Sequence, residues 1–193
     1  MLLPYCACLN ILQRDKARLF EVLHSFGYFY KILSNHPDAT LSAKLCERLE
    51  KRWYQWEQPL LILSWALNPH YRLERFNINL PKMNWVDMSQ YIQYYYIAWT
   101  GKKPTTILCE LQNYSQKKFP FNDSCVNQFQ DNIFAYWQWC STKSKELGFV
   151  ACRIASICVN AASVERLWSS IGHLHSIRRN RLHVSLSKYL IYK

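Results

Sequence analysis

The stretch Asn160-Ala161-Ala162-Ser163-Val164-Glu165-Arg166-Leu167-Trp168-Ser169-Ser170-Ile171-Gly172 decides the reading of the fold. Val164, Leu167, Trp168 and Ile171 recur at spacings of three and four, which makes one apolar stripe on an α-helix. Asn160 is suited to cap that helix ahead of Ala161. Glu165 falls off the stripe with Ser169 and Gly172. Its place suits a solvated residue favoured by the dipole near a helix N-terminus, or a carboxylate in a cleft.

A strongly basic turn follows. After the connector from His173 to Ser176 come Arg178, Arg179, Arg181 and Leu182, and from Arg166 to Lys193 there are six Lys or Arg and no Asp or Glu. Three arginines in four positions cannot share one helix face. They suit phosphate contact, or else they are solvated or pair with an acidic residue such as Glu146. From Val184 to Tyr192 the spacing of Leu186, Tyr189 and Leu190 predicts a closing helix.

Upstream the same periodicity recurs. Leu12, Leu19, Val22, Leu23, Phe26, Phe29, Tyr30 and Leu33 predict one long helix, or two in line, ended by His36-Pro37-Asp38. Thr40 is the expected cap of the next, which runs through Leu41, Leu45, Leu49 and Trp53 with Trp56 on the same stripe, and Glu47 and Lys51 form an i,i+4 pair. Pro59 opens a short apolar helix from Leu60 to Leu67, stopped by Asn68-Pro69. Phe76 to Met88 is expected to be a connector. A helix should then run from Asp87 or Ser89 through Trp99, with Tyr91, Tyr94, Tyr95 and Ala98 on one face. Thr100 to Pro104 reads as a turn and Thr105 to Tyr114 as a helix. Lys117 to Asp123 reads as irregular, and Asn122 to Trp139 as a mixed segment ending in Phe134, Tyr136, Trp137 and Trp139. Sustained period-two alternation is missing, so the fold is expected to be mainly α.

The 193 residues are 50% hydrophobic and only 19% charged, and the aromatic share of 16% includes eight Trp and thirteen Tyr. So much aromatic area demands a large helical core or a partner. The net charge of +11 points towards polyanions. The first residues lack a basic n-region and a long apolar run, and no segment has the length of a membrane span. The eight Cys are too scattered for a disulfide framework and read as reduced, mostly buried thiols. Cys152, Cys158, His173 and His175 line up as zinc ligands only on paper, because no CxxC pair supports them. No metal or other cofactor is expected.

The block Ala162-Ser163-Val164-Glu165-Arg166-Leu167-Trp168-Ser169 with Gly172, followed by Arg178-Arg179-Asn180-Arg181-Leu182, resembles the C-terminal region of hAT family transposases. Pro4-Tyr5-Cys6, Leu9 to Gln13, Leu49 to Trp53, Gln58-Pro59-Leu60 and Asn68 to Arg72 are similar to hAT sequence as well. The resemblance implies a helical insertion-like region over 1–120 and a dimerisation region over 121–193, the latter supplying C-terminal helices of an interrupted RNase H-like fold. In that family two aspartates on strands act with a glutamate on the helix after the insertion, and Glu165 matches the glutamate. Metal-dependent phosphate chemistry needs two or three carboxylates. The partner aspartates have no match here, so the chain is expected not to be an enzyme. Trp168 stands where the family often has Phe.

What the resemblance then implies is a transposase-derived, dimerising protein located in the nucleus. Leu167, Trp168, Ile171, Leu182, Leu186 and Leu190 would form the contact, with a second copy or a related transposase-like chain as partner and no membrane. The alternative is sequence-independent DNA or RNA binding through Arg178, Arg179 and Arg181. Transposase or nuclease activity is the minor alternative, should the chain be a fragment of a longer one.

Overall fold

A computed structural model describes residues 2–55, 58–74, 84–160 and Glu165. Among these residues the chain forms nine helices: α1 (Leu2–Leu12), α2 (Leu19–Ser34), α3 (Ala39–Trp53), α4 (Gln58–Ala66), α5 (Trp85–Thr100), α6 (Ile107–Ser115), α7 (Asp123–Phe129), α8 (Ile133–Cys140) and α9 (Lys145–Ser156). Helices α4 to α9 surround one core, in which Leu63, Met88, Tyr114, Phe121, Trp137, Leu147 and Val150 are fully enclosed. Helices α1 to α3 form an outer layer, attached where α2 lies on α4.

The RNase H-like assignment is overturned. That fold is built on a central sheet, and the described residues contain no strand. Their only β-type pairing is an isolated antiparallel bridge between Arg18 and Cys158. The physical reason lies in the apolar spacing: threes and fours direct side chains to one side of a helix, whereas a half-buried strand needs alternation. The labels of hAT transposase and RNase H-like protein, taken as statements of fold, fall with it.

Several local expectations are also corrected. Of the two readings of the first segment, one long helix or two in line, the structure has two helices, α1 starting earlier at Leu2 and parted from α2 by a turn in which Ala17 N donates to Arg14 O at 3.0 Å. Asp38, not Thr40, caps α3, its carboxylate accepting from Leu41 N at 3.0 Å. On α5 the buried stripe is Met88, Ile92 and Tyr95, while Tyr94 is 64% exposed. The mixed segment from Asn122 to Trp139 resolves into α7 and α8. Only Cys8 and Cys140 are buried, so the thiols are not mostly interior, and all eight are free. Trp56 and the connector residues 75–83 lie outside the described set.

Helix ends are tied by specific chemistry. Asn84 caps α5 by accepting from Asp87 N at 2.9 Å, and Gly101 ends that helix in the left-handed conformation at φ 69°. Gly148 lets α9 approach α8, since a Cβ there would lie 2.6 Å from that of Ser141. Helices α6 and α9 exchange carboxylates. Glu146 of α9 accepts from the backbone N–H groups of Thr105, Thr106 and Ile107 at 2.7–2.9 Å, and from the Thr105 hydroxyl. Glu110 of α6 accepts from Leu147 N at 2.7 Å and from the Thr106 hydroxyl at 2.9 Å. Each glutamate thus meets orphan N–H groups and the positive dipole end of the other helix.

Burial pushes the Glu146 carboxyl up, but the donors of Thr105, Thr106 and Ile107 outweigh it and hold the group below its ordinary value of 4.5. A carboxyl depressed in the folded state contributes stability above its unfolded pKa, and that contribution is lost as pH falls through the folded value. Glu146→Gln should therefore cost about 2 kcal/mol at pH 7, as for hydrogen bonds to a charged group. The variant should also lose less stability than wild type as pH falls below about 4.5. Urea unfolding followed by circular dichroism at pH 7 and pH 3 measures both effects.

Candidate functional site

The chain enters its C-terminal segment beside the turn between α1 and α2. The Asn160 side-chain amide donates to Leu12 O and, at 3.1 Å, to Arg14 O, bridging 146 positions of sequence. Both carbonyls lie at or just past the end of α1, where helical acceptors lack partners within the helix. Two residues earlier Cys158 pairs with Arg18. The N-cap role expected of Asn160 would use its side-chain oxygen, and residues 162 and 163, whose N–H groups would donate to it, lie outside the described residues. Glu165 lies in helical backbone and is exposed.

Leu167, Trp168, Ile171, Leu182, Leu186 and Leu190, the arginines Arg178, Arg179 and Arg181, and His173 and His175 all lie outside the described residues. One rival role for the arginines does meet an observation. Glu146, named as their possible ion-pair partner, already accepts from the α6 N-terminus through both carboxylate oxygens.

Next to Asn160 the α1–α2 turn, the corner after α4, and helices α8 and α9 enclose a cleft of about 980 Å³. Its charged lining includes Arg14, Asp15, Lys16, Arg18, Glu21 and Asp131. Much of that charge is engaged: Arg14 pairs with Glu21, which also accepts from Arg18 N at 2.7 Å. His70 in the same wall meets Gln130 O through Nε2 at 2.8 Å. Among the described residues no group of three His, Cys, Asp or Glu is placed to hold a metal ion. The cleft is a mixed polar and apolar hollow.

The described surface is more distinctive for its apolar side chains. Leu3, Tyr5 and Ile11 of α1 are exposed, as are Tyr28 and Tyr30 of α2. On α5 Val86, Tyr94 and Ile97 are exposed, and exposed Phe119 and Trp139 meet edge to face. Helix α1 carries no charged residue, and α5 has Asp87 alone. Exposed apolar side chains, where they cluster, mark contact surfaces.

No protein-family model, no curated protein and no solved structure matches this chain.

Asn160→Ala should free the entry to the C-terminal segment without disturbing the α4–α9 core. Limited proteolysis is expected to cut after residue 157 several-fold faster than in wild type, while the thermal midpoint of the core shifts little. An unchanged cleavage rate would show that the Asn160 bonds do not hold the segment.

Proposed function

We propose that this chain is a non-catalytic helical protein that works by associating with a second copy or a related chain. The observation that carries the reading is the set of exposed apolar side chains on α1, α2 and α5, of which α1 and α5 hold a single charged residue, Asp87, between them, on a chain with a net charge of +11. A protein with that surface is stabilised by covering it, because roughly 25 cal/mol is gained for each Å² of apolar area removed from water. The likeness of the 160–182 sequence to a transposase dimerisation region supports the same reading, with Leu167, Trp168, Ile171, Leu182, Leu186 and Leu190 as contact residues. It also supports a nuclear location.

Sedimentation equilibrium of the full chain tests this. A concentration-dependent dimer is expected at tens of micromolar, and Leu186→Asp should shift it towards monomer while the helical circular dichroism signal persists. A wild-type chain that stays monomeric over that range refutes self-association.

A second reading, favoured by the net charge, is sequence-independent nucleic-acid binding through Arg178, Arg179 and Arg181. With two or three phosphates contacted, the log–log salt slope on duplex DNA should be about −2 to −3, at about −0.9 per phosphate. Replacing the three arginines with glutamine should flatten it on random and transposon-end DNA alike. The same samples with Mg²⁺ or Mn²⁺ and plasmid should show no cleavage; cleavage abolished by Glu165→Gln would overturn the non-catalytic reading.

A further inference from the structure

At the C-terminal ends of α5 and α9 a hollow of about 310 Å³ is lined by Trp99, Arg153, Ser156 and Ile157. It shares no residue with the larger cleft. The Arg153 guanidinium lies 5.8 Å from the centre of the Trp99 ring and 5.3 Å from that of Phe149. Both rings are braced from behind. Trp99 leans on Tyr95 with 5.2 Å between ring centres, and Phe149 meets Tyr96 edge to face at 6.1 Å.

Arg153 stands in the last turn of α9, where the helix dipole favours a cation. The dipole accounts for the positive charge, but not for the two rings against it or the hollow beside it. Among the described residues the ion pairs fall to Arg14, Lys51 and Lys117, and Glu110 and Glu146 are taken up by helix starts. No carboxylate there answers Arg153. Aromatic contact restrains a guanidinium through its π-type attraction and leaves the planar fork of N–H groups able to donate.

We infer that this hollow binds one nucleotide of a single-stranded nucleic acid, with the base stacked on Trp99 and the phosphate held by Arg153. The site is independent of the self-association proposed above and uses none of Arg178, Arg179 and Arg181. Three features select this ligand. A base offers the flat face that an indole stacks on, whatever its sequence, and a duplex keeps that face covered by neighbouring pairs. A phosphate matches the fork of an arginine, which can grip two of its oxygens. The surroundings complement a polyanion: exposed Lys102 and Lys103 follow Trp99 at the end of α5, and no Asp or Glu occurs from Ser89 to Cys109 or from Leu147 to Val164. The Ser156 hydroxyl, which donates to Arg153 O at 2.8 Å, keeps its lone pairs to accept from a base edge. The volume sits at the low end of the roughly 300–1,000 Å³ of ligand pockets, which suits one base.

Fluorescence anisotropy of the full chain with a labelled oligo(dT) strand of about ten nucleotides tests the site. Arg153→Gln should weaken binding about tenfold, as for a lost hydrogen bond to a charged group, and Arg153→Lys nearly as much, because an ammonium lacks the fork. Arg48→Gln removes an equal charge from the exposed face of α3 and should change the affinity less than about twofold. Trp99→Leu should weaken binding about tenfold with the thermal midpoint little changed; should it unfold, the Arg153 pair decides alone. Equal weakening by Arg48→Gln and Arg153→Gln would show net charge at work and overturns the site. So does an Arg153→Gln chain that binds like wild type, a duplex bound as tightly as the strand, or a wild type that binds no strand at about 100 micromolar. Competition by dTMP as effective as by the strand overturns the assignment to a strand. If glutamine at Arg178, Arg179 and Arg181 abolishes duplex binding and spares oligo(dT), the hollow stands as a separate site. If it abolishes oligo(dT) binding while Arg153→Gln does not, the strand lies on the C-terminal arginines and the hollow is wrong.

Discussion

The guanidinium of Arg72 is the buried charge around which the core is arranged. It is 2% exposed and sits at a backbone φ of 50°, just past the corner that ends α4. It donates to Pro69 O at 3.2 Å, to Tyr114 O at 2.8 Å and to Phe121 O, and lies 4.6 Å from the centre of the Tyr114 ring. Tyr114 is in the last turn of α6, so the cation meets the negative end of that helix dipole. Burying an unmatched charge is costly, and the directed carbonyls and aromatic face make this site tolerable.

The same corner receives bonds in the other direction. The Tyr114 hydroxyl donates to Ala66 O at 3.1 Å, and Trp137 Nε1 donates to Leu67 O at 2.7 Å. These carbonyls belong to the end of α4, where the helix itself has no donors left. Burial pushes the Tyr114 phenol far above its ordinary pKa, which keeps it a neutral donor. Four elements distant in sequence thus meet at one point: the end of α4, the end of α6, the loop at Phe121, and α8. The reciprocal carboxylates of Glu110 and Glu146 then tie the starts of α6 and α9, so the core is held by polar contacts at helix ends as well as by apolar packing.

The outer layer is built differently. Helices α2 and α3 bury only Ser25 and Ser42, and their attachment runs through aromatic contacts such as Phe26 with Trp53 and His24 with Trp65. Sparse burial places this layer at the low-stability end of the molecule, where local opening is easiest. Its apolar exterior lies next to the point where Asn160 delivers the C-terminal segment.

The helices with a clean three-four pattern were legible from sequence: α3 through Leu41, Leu45, Leu49 and Trp53, and α4 after Pro59. The Glu47–Lys51 pair was too, at 2.7 Å, because i,i+4 neighbours meet whatever surrounds the helix. Helix α9 was passed over, although Leu147, Val150, Ala151 and Ile154 carry its stripe. The RNase H-like expectation came from the resemblance and not from the spacing, which predicts helices, and the described residues hold no strand. Nothing local signalled that Arg72 is buried, that Glu146 caps α6, or that the uncharged helix α1 is largely exposed. Residue spacing alone determined where helices form, since helix geometry is local. Which faces were buried, which carboxylate met which helix end, and where an uncharged helix stayed exposed were decided by tertiary contacts, because those partners lie tens of residues apart and meet only when the chain folds.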